Sequence, residues 1–270
     1  MMRSRLAVSA VLVVCAATVA GCGGASGIAS RQGSPSSLVR AGADGADLTG
    51  AGLARTLAHS VAKAESVHVS GRVNAGRHEV TFALDQARTG TVLHGLRIRA
   101  HARVDGSPVT LLVVDGAAYI RAPQLMGNTH SKAWLGARLG GAGQPLAEVY
   151  HRIASRLQIS HLPALLRSAA AVRDLGPQVV HGVRATHYRL RLNPNQLARA
   201  FAGPGLGLGL DRPDGARRIV TADLWLDARG LPVRLSAASR GARATLSFSH
   251  WGESVSVQAP PAAEVRWLSR

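Results

Sequence analysis

Cys22 is the residue of this 270-residue chain whose surroundings point most directly to chemistry. Arg3 and Arg5 precede an apolar run, Leu6–Ala20, which has the length of a signal-peptide core. The run closes on Val19-Ala20-Gly21-Cys22. Small residues before a cysteine let an extended backbone enter a signal peptidase, and the thiol can then take a lipid. The order of charge, apolar run, small residues and cysteine is typical of a bacterial lipobox.

This pattern predicts a signal peptide over residues 1–21 and a mature chain that begins with acylated Cys22. Roughly two or three fatty acyl chains, such as palmitate, hold a protein stably on a bilayer. We therefore expect the mature chain on the outer leaflet of the cell membrane, facing the periplasm-like space or the exterior. Cys15, the second of two cysteines, lies in the removed segment, so no disulfide and no free thiol are expected. The alternative is an ordinary secretory signal or an uncleaved anchor, with Cys22 incidental.

Other residues that could do chemistry form no recognisable catalytic or metal-binding motif. No pair of histidines has HExxH spacing, no GxSxG elbow occurs, and the Gly-rich run Gly203–Gly209 is not followed by Gly-Lys-Ser/Thr. Acidic residues are few. A Ser/His/Asp site assembled from different strands is the one kind of enzyme site that the sequence leaves open. We expect no enzyme, no metal and no cofactor. The eleven histidines are scattered: His59, His68, His78, His94, His101, His130, His151, His161, His181, His187 and His250.

Charge is strongly asymmetric, with 32 basic residues against 15 acidic ones and a net charge of +17. Removal of Arg3 and Arg5 with the signal peptide would lower it to +15. Lys63 and Lys132 are the two lysines, so the excess is almost entirely arginine. An anionic membrane surface is the partner this charge favours, since nucleic acid is not expected outside the cell. Codon bias in a GC-rich genome is the alternative explanation.

Apolar periodicity divides the rest of the chain. Residues 22–47 are rich in Gly, Ser and Ala without periodicity and predict a flexible tether. The pattern then predicts a helix over Thr49–Glu65 and three later ones, Leu146–Leu157, Leu162–Val172 and a short one from Asn193-Pro194 to Phe201. Alternation of apolar and polar residues predicts strands, with tight turns at Asp105-Gly106 and Asp115-Gly116. The predicted strands are Val67–Val73, Val80–Leu84, Leu96–Val104, Val109–Val114, Ala118–Ala122, Val179–Val180, Val183–Leu192, Thr221–Asp227, Leu231–Ala237, Ala242–His250 and Ser254–Gln258.

These elements predict an α+β fold in one domain over residues 48–270. We expect a large antiparallel sheet of about ten or eleven strands, with a few helices covering its apolar face. A composition of 46% apolar residues excludes global disorder. Because aromatic residues make up 4% of the chain, the interior is expected to be lined by aliphatic side chains, which could leave a cavity.

Four segments in their order and spacing resemble the LppX/LprA/LprF/LprG family of actinobacterial lipoproteins. The match covers roughly residues 53–267. The segments are Ser66-Val67-His68-Val69-Ser70-Gly71; Asp115-Gly116-Ala117-Ala118-Tyr119 with Lys132-Ala133-Trp134; Leu224-Trp225-Leu226-Asp227 with Gly230-Leu231-Pro232-Val233-Arg234; and Phe248-Ser249-His250-Trp251-Gly252-Glu253 with Val257 and Pro260-Pro261.

The resemblance implies a LolA-like α+β fold, in which the large antiparallel sheet is a curved half-barrel and a few helices cover its concave face. It also implies a hydrophobic cavity that carries acyl chains of lipids or glycolipids through the cell envelope. Packed core is the alternative role of each residue proposed to line that cavity. A membrane transporter is a further possible partner, and a monomer is expected. Tyr119 and Trp134 are candidates for the cavity mouth. The other candidates for the lining are Val69, Phe82, Ile98, Val113, Leu162, Leu165, Leu166, Val172, Leu226, Leu246 and Phe248.

A second function class stays open. The same fold without a cavity would suit an envelope sensor or scaffold that regulates a membrane partner, because function depends on a site and not on a fold.

Overall fold

The structure is a computed structural model that describes residues 47–88, 95–126, 133–138, 162–167, 169–192, 220–239 and 242–268. The predicted signal peptide, nearly all of the tether, the loop Gly203–Gly209, and the helices predicted at 146–157 and 193–201 lie outside these residues. No helix in the described ranges is long and apolar enough to cross a membrane.

Three α-helices are described, and the first confirms the prediction from sequence. Helix α1 spans Gly50–Ala64, and the Thr49 hydroxyl caps it by accepting a hydrogen bond from the Gly52 amide at 3.3 Å. It ends at Glu65, whose φ of 58° breaks the helical conformation. Helices α2 and α3 are short, at Pro123–Met126 and Leu162–Arg167.

Thirteen strands are described, and they form a single sheet. Its spatial order is β1-β8-β9-β10-β11-β12-β2-β3-β4-β5-β6-β7-β13, so β1 and β13 are the edges. Neighbouring strands are antiparallel, except that β13 runs parallel to β7. The strands are β1 Asp47–Leu48, β2 Ser66–Ala75, β3 His78–Arg88, β4 Leu96–Val104, β5 Ser107–Val114, β6 Ala117–Arg121, β7 Trp134–Arg138, β8 Ala169–Val180, β9 Val183–Leu192, β10 Val220–Asp227, β11 Pro232–Ser239, β12 Ala242–Ser249 and β13 Val265–Trp267.

The hairpins around β4 and β5 follow from the residues at their turns. Asp105 and Gly106 have φ angles of 49° and 81°, and Asp115 and Gly116 have 51° and 70°. Two successive positive φ angles match the right-handed twist of the flanking strands, and Asp-Gly tolerates them well. Both predicted turns are therefore confirmed.

Two predicted elements are wrong. The helix predicted over Leu162–Val172 ends at Arg167, and Ala169 already begins β8, where Val172 pairs with Leu190. Alanines at 169–171 favour a helix locally, but pairing with β9 overrides that weak preference. Residues 254–258 form no strand; chain pairing instead occurs at Val265–Trp267, beside β7.

The sheet is consequently larger than the ten or eleven predicted strands. The sequence pattern missed β1, β7 and β13, which have two, five and three residues. Such short segments carry too few positions for alternation to show.

Alternation gives the sheet two chemically different faces. Leu96–Val104 alternates strictly between buried and exposed residues, with Arg97, Arg99 and Arg103 on the exposed side, as predicted. We call the face that carries Leu96 and Ile98, and against which α1 and α3 pack, the inner face, and the opposite one the outer face.

Gly71 marks a crowded point of the inner face and provides a first prediction. A Cβ at Gly71 would lie 2.6 Å from Leu246 Cδ2 and 2.8 Å from Phe82 Cζ, both shorter than real contacts. We expect Gly71→Ala to lower the free energy of unfolding by about 1–3 kcal/mol through overpacking. Urea denaturation checks this, with Ser70→Ala on the opposite face as control. Equal free energies of unfolding for the two variants would show that the inner face has room for a methyl group at this point.

Candidate functional site

The inner face is a continuous apolar surface contributed by most strands of the sheet. Its side chains form one cluster with those of α1 and α3, and each is at most 9% exposed. Of the thirteen residues predicted for the cavity and its mouth, all but two lie in this cluster. They are Val69, Phe82, Ile98, Val113, Leu162, Leu165, Leu166, Val172, Leu226, Leu246 and Phe248.

Tyr119 and Trp134 do not lie with them. Neighbouring Ala118 and Ile120 point to the inner face, so alternation places Tyr119 on the outer face. There Tyr119 and Trp134 form a separate cluster with Val257 and Val265 of the C-terminal segment, among others. Burial raises the pKa of the Tyr119 phenol, although the charge of Arg138 opposes this. The two aromatic residues predicted for a cavity mouth therefore fasten the C-terminal segment instead.

The chemistry of the inner face is almost purely that of hydrocarbon. Among the described residues, Ser66, Gln86 and His187 are the buried polar ones. The Ser66 hydroxyl donates to the carbonyl oxygen of Glu253 at 2.6 Å, and His187 lies on the outer face with Trp225. Gln86 stands opposite Ile98 in the register, so it is a polar residue of the inner face. Such a surface suits acyl chains or core packing and offers little for acid–base catalysis.

Helix α1 is the largest described cover of this face. It contributes Leu53, Ala54, Leu57 and Val61 to the cluster. A 15-residue helix is about 22 Å long and 10 Å across, whereas thirteen strands side by side span about 60 Å. The sheet therefore has to curl around its helices for the inner face to be buried as it is.

Two close contacts fix the position of α1 against the rest of the fold. The Ser60 hydroxyl donates to the carbonyl oxygen of Arg229 at 2.6 Å, in the turn between β10 and β11. At the other end, a Cβ on Gly50 would collide with the carbonyl oxygen of Leu166 in α3. Sequence reasoning missed both contacts, because they join residues more than a hundred positions apart and no local pattern encodes them. Within the described ranges, Leu53, Ala54, Leu57 and Val61 hold the helix by apolar contacts, which lack direction.

The histidine–carboxylate pairs of the outer face are the remaining candidates for chemistry. His68 Nδ1 lies 2.7 Å from Asp85 Oδ1, and Arg99 Nη2 lies 2.9 Å from Asp85 Oδ2. A second group joins His187 and Arg189 to Asp223, each at 2.9 Å. Each pair links residues on adjacent strands, and the described residues hold no group of three His, Cys, Asp or Glu arranged for a metal ion. The pairs tie neighbouring strands together.

The Asp85 pair gives a second prediction, on pH. Burial raises the pKa of Asp85, but hydrogen bonds and charges from His68 and Arg99 lower it more, to below the ordinary 3.8. A carboxyl whose pKa is lowered on folding stabilises the protein above its unfolded pKa, and the contribution disappears as pH falls through the folded pKa. Asp85→Asn should therefore cost about 0.5–1 kcal/mol at neutral pH and progressively less below pH 3.8.

Urea denaturation of the Asp85 variant at a series of pH values tests this. Glu79→Gln is the control, since Glu79 pairs with Arg72 while about half exposed. A difference between Asp85→Asn and the parent that stays constant into acid would contradict the assignment.

Comparison with known proteins bears on the fold. Neither a family model nor a curated protein sequence matches this chain. Among solved structures, LprF from Mycobacterium bovis matches 78% of this chain and 96% of its own, at 14% identity and a TM-score of 0.54. The Mycobacterium tuberculosis lipoprotein LppX matches 77% of this chain and 98% of its own, at 16% identity and a TM-score of 0.50.

Both matches extend over nearly the whole of the other protein, so they compare complete folds and not a shared fragment. The resemblance drawn from sequence motifs is thereby confirmed for the fold: this chain has the curled antiparallel sheet and helices of LprF and LppX.

Proposed function

We propose that this chain is a membrane-anchored lipoprotein that binds the acyl chains of lipids or glycolipids against its inner face and carries them across the cell envelope. The observation that carries the proposal is the inner face itself. It is one aliphatic surface spread over most of a thirteen-stranded sheet, and its main described cover is a single amphipathic helix.

The fold supports this proposal, since LppX is itself a lipoprotein and shares it. The predicted lipobox at Cys22 supports it independently, because a lipidated cysteine would hold the chain on a membrane.

Loading requires the inner face to open. Because its side chains are at most 9% exposed, an acyl chain has to displace α1, with α3, from the sheet. Among the described residues, the hydrogen bond from Ser60 to Arg229 is a directional contact that this movement has to break. Acyl chains then replace the apolar side of α1 in contact with the sheet.

The energetics favour exchange over trapping. Each buried CH₂ group contributes about 0.8 kcal/mol, whether it lies in a protein or in a bilayer. An acyl chain on the inner face therefore has nearly the free energy that it had in the membrane. Transfer is therefore an exchange between two environments in which the acyl chain has a similar free energy. A transporter or an acceptor membrane sets the direction of that exchange.

Native mass spectrometry tests the proposal. The mature chain is produced with Cys22→Ser, so that an added mass is not its own anchor, and co-purified lipid is extracted and identified. We expect a stoichiometric adduct of acylated lipid. A bare protein that also refuses added phospholipid and glycolipid would overturn the proposal and favour a scaffold or sensor that needs no cavity.

A further inference from the structure

The predicted tether enters the fold at one edge of the sheet. Strand β1, Asp47–Leu48, is that edge, and its Asp47 pairs with Arg173 of β8. A flexible tether of about 25 residues has a root-mean-square reach of roughly 25–30 Å. If Cys22 is anchored as proposed, the β1 edge therefore stays close to the bilayer surface.

Three exposed arginines lie on the outer face at this edge. Val172 and Leu190 point to the inner face, so alternation places Arg173, Arg189 and Arg191 on the outer one. We call these three residues the arginine cluster. Arg173 and Arg189 stand directly opposite each other on β8 and β9, and Arg191 follows two positions after Arg189.

Two acidic residues stand beside the arginine cluster. Asp47 is opposite Arg173 in the strand register, and Asp223 pairs with Arg189 at 2.9 Å. The cross-strand neighbours of Arg191 are Ala171 and Thr221, which are uncharged, so Arg191 gives the cluster its positive excess. Arg173 and Arg189 also stand directly opposite each other, and because like charges in that position destabilise a sheet, an external anion would relieve their repulsion.

We propose that the arginine cluster binds the phosphates of anionic phospholipids in the membrane that holds the anchor. This deepens the proposed function and rests on its anchored state. Basic groups near an anionic surface strengthen binding by about fivefold each. Tether and cluster together hold the β1 edge against the bilayer.

This orientation has a consequence for loading. Helix α1 begins at Gly50, two residues after β1 ends, and Gly50 packs against Leu166 of α3. The junction of the two helices that cover the inner face thus lies at the edge that faces the membrane. Lipid leaving the bilayer meets the cover at this junction first.

Vesicle co-sedimentation of the unacylated mature chain with Cys22→Ser tests the proposal. The vesicles contain phosphatidylcholine alone or an equal mixture with phosphatidylglycerol. We expect binding to the mixture and about 20-fold weaker binding for Arg173→Gln/Arg191→Gln. The control, Arg97→Gln/Arg243→Gln, removes the same charge from exposed residues of β4 and β12 and should lose less than about threefold, because screening limits distant charges.

Equal losses in the two double variants would overturn the proposal, since net charge and not the cluster would then drive binding. Equal binding to both vesicle types would overturn it as well. The proposed lipid-carrier function can fail independently of this proposal. If the chain binds anionic vesicles but takes up no lipid in native mass spectrometry, only the carrier function is contradicted. Thermal unfolding of both double variants verifies that they fold like the parent.

Discussion

A chain carrying Ser60→Cys and Gly230→Cys should lose lipid uptake when oxidised and regain it when reduced. A Cβ at Gly230 lies 3.8 Å from Ser60 Cβ, which is about the mean separation in a disulfide. The bond would join the middle of α1 to the turn between β10 and β11. If acyl chains reach the inner face only when α1 moves away, the bond closes their route.

The expected loss is on the order of tenfold or more, because apparent affinity scales with the fraction of molecules in the binding-competent state. Gly230 has a φ of 74°, so a cysteine there costs about 1–2 kcal/mol, which lowers stability but leaves α1 in place. With Cys22→Ser in the background, the mature chain contains no other cysteine that could compete.

Uptake is measured with a fluorescent phospholipid in the oxidised and reduced states of the same preparation. Each single cysteine variant serves as a control, and its lipid uptake should be the same in the oxidised and reduced states. Undiminished uptake by the fully oxidised double variant would show that α1 does not gate the inner face.

Cys22→Ser should abolish incorporation of labelled palmitate and cleavage of the signal peptide. The serine hydroxyl cannot take the thioether-linked lipid, and processing at the lipobox follows lipidation, so residues 1–21 stay on the chain. The uncleaved apolar run Leu6–Ala20 can itself hold the chain on a membrane. The palmitate label and the length of the chain are therefore the measurements that report the anchor.

Cys15→Ser is a matched control, since it removes the second cysteine from the segment predicted to be cleaved. It should leave incorporation of labelled palmitate and cleavage of the signal peptide unchanged. Palmitate label on the Cys22 variant, or loss of the label from the Cys15 variant, would contradict the assignment of the anchor.

Long elements with clear periodicity were predictable from the sequence. The strand Leu96–Val104 alternates perfectly because one face meets core and the other water, and α1 combines a capping threonine with apolar residues at helical spacing. The family resemblance added what these patterns lack, namely the closure of all strands into one curled sheet.

The failures share a physical cause, which is that tertiary contacts decided the outcome. Ala169–Val172 has the composition of a helix and becomes a strand because β9 offers a hydrogen-bonding edge. Tyr119 has the character of a cavity residue, yet its position in β6 turns it to the outer face, against the C-terminal segment. Neither the partner edge nor the covering segment is visible in the local sequence.

The sequence predicted which residues form the candidate site, but not how the helix that covers the site is held in place. Most predicted lining residues do share one face, since that follows from alternation. The contacts of Ser60 and Gly50 that fix the position of the helix join distant segments, as does the placement of the arginine cluster beside the tether. These features emerge from the fold.

The central claim is that acyl chains lie on the inner face, and photo-crosslinking tests it most directly. A phospholipid with a diazirine on its acyl chain is bound to the mature Cys22→Ser chain and activated, and labelled residues are located by peptide mass spectrometry. The account predicts labels on inner-face residues such as Ile98, Leu226 and Leu246, and on the covered side of α1. Labels confined to the outer face, or no labelling while lipid remains bound, would contradict it.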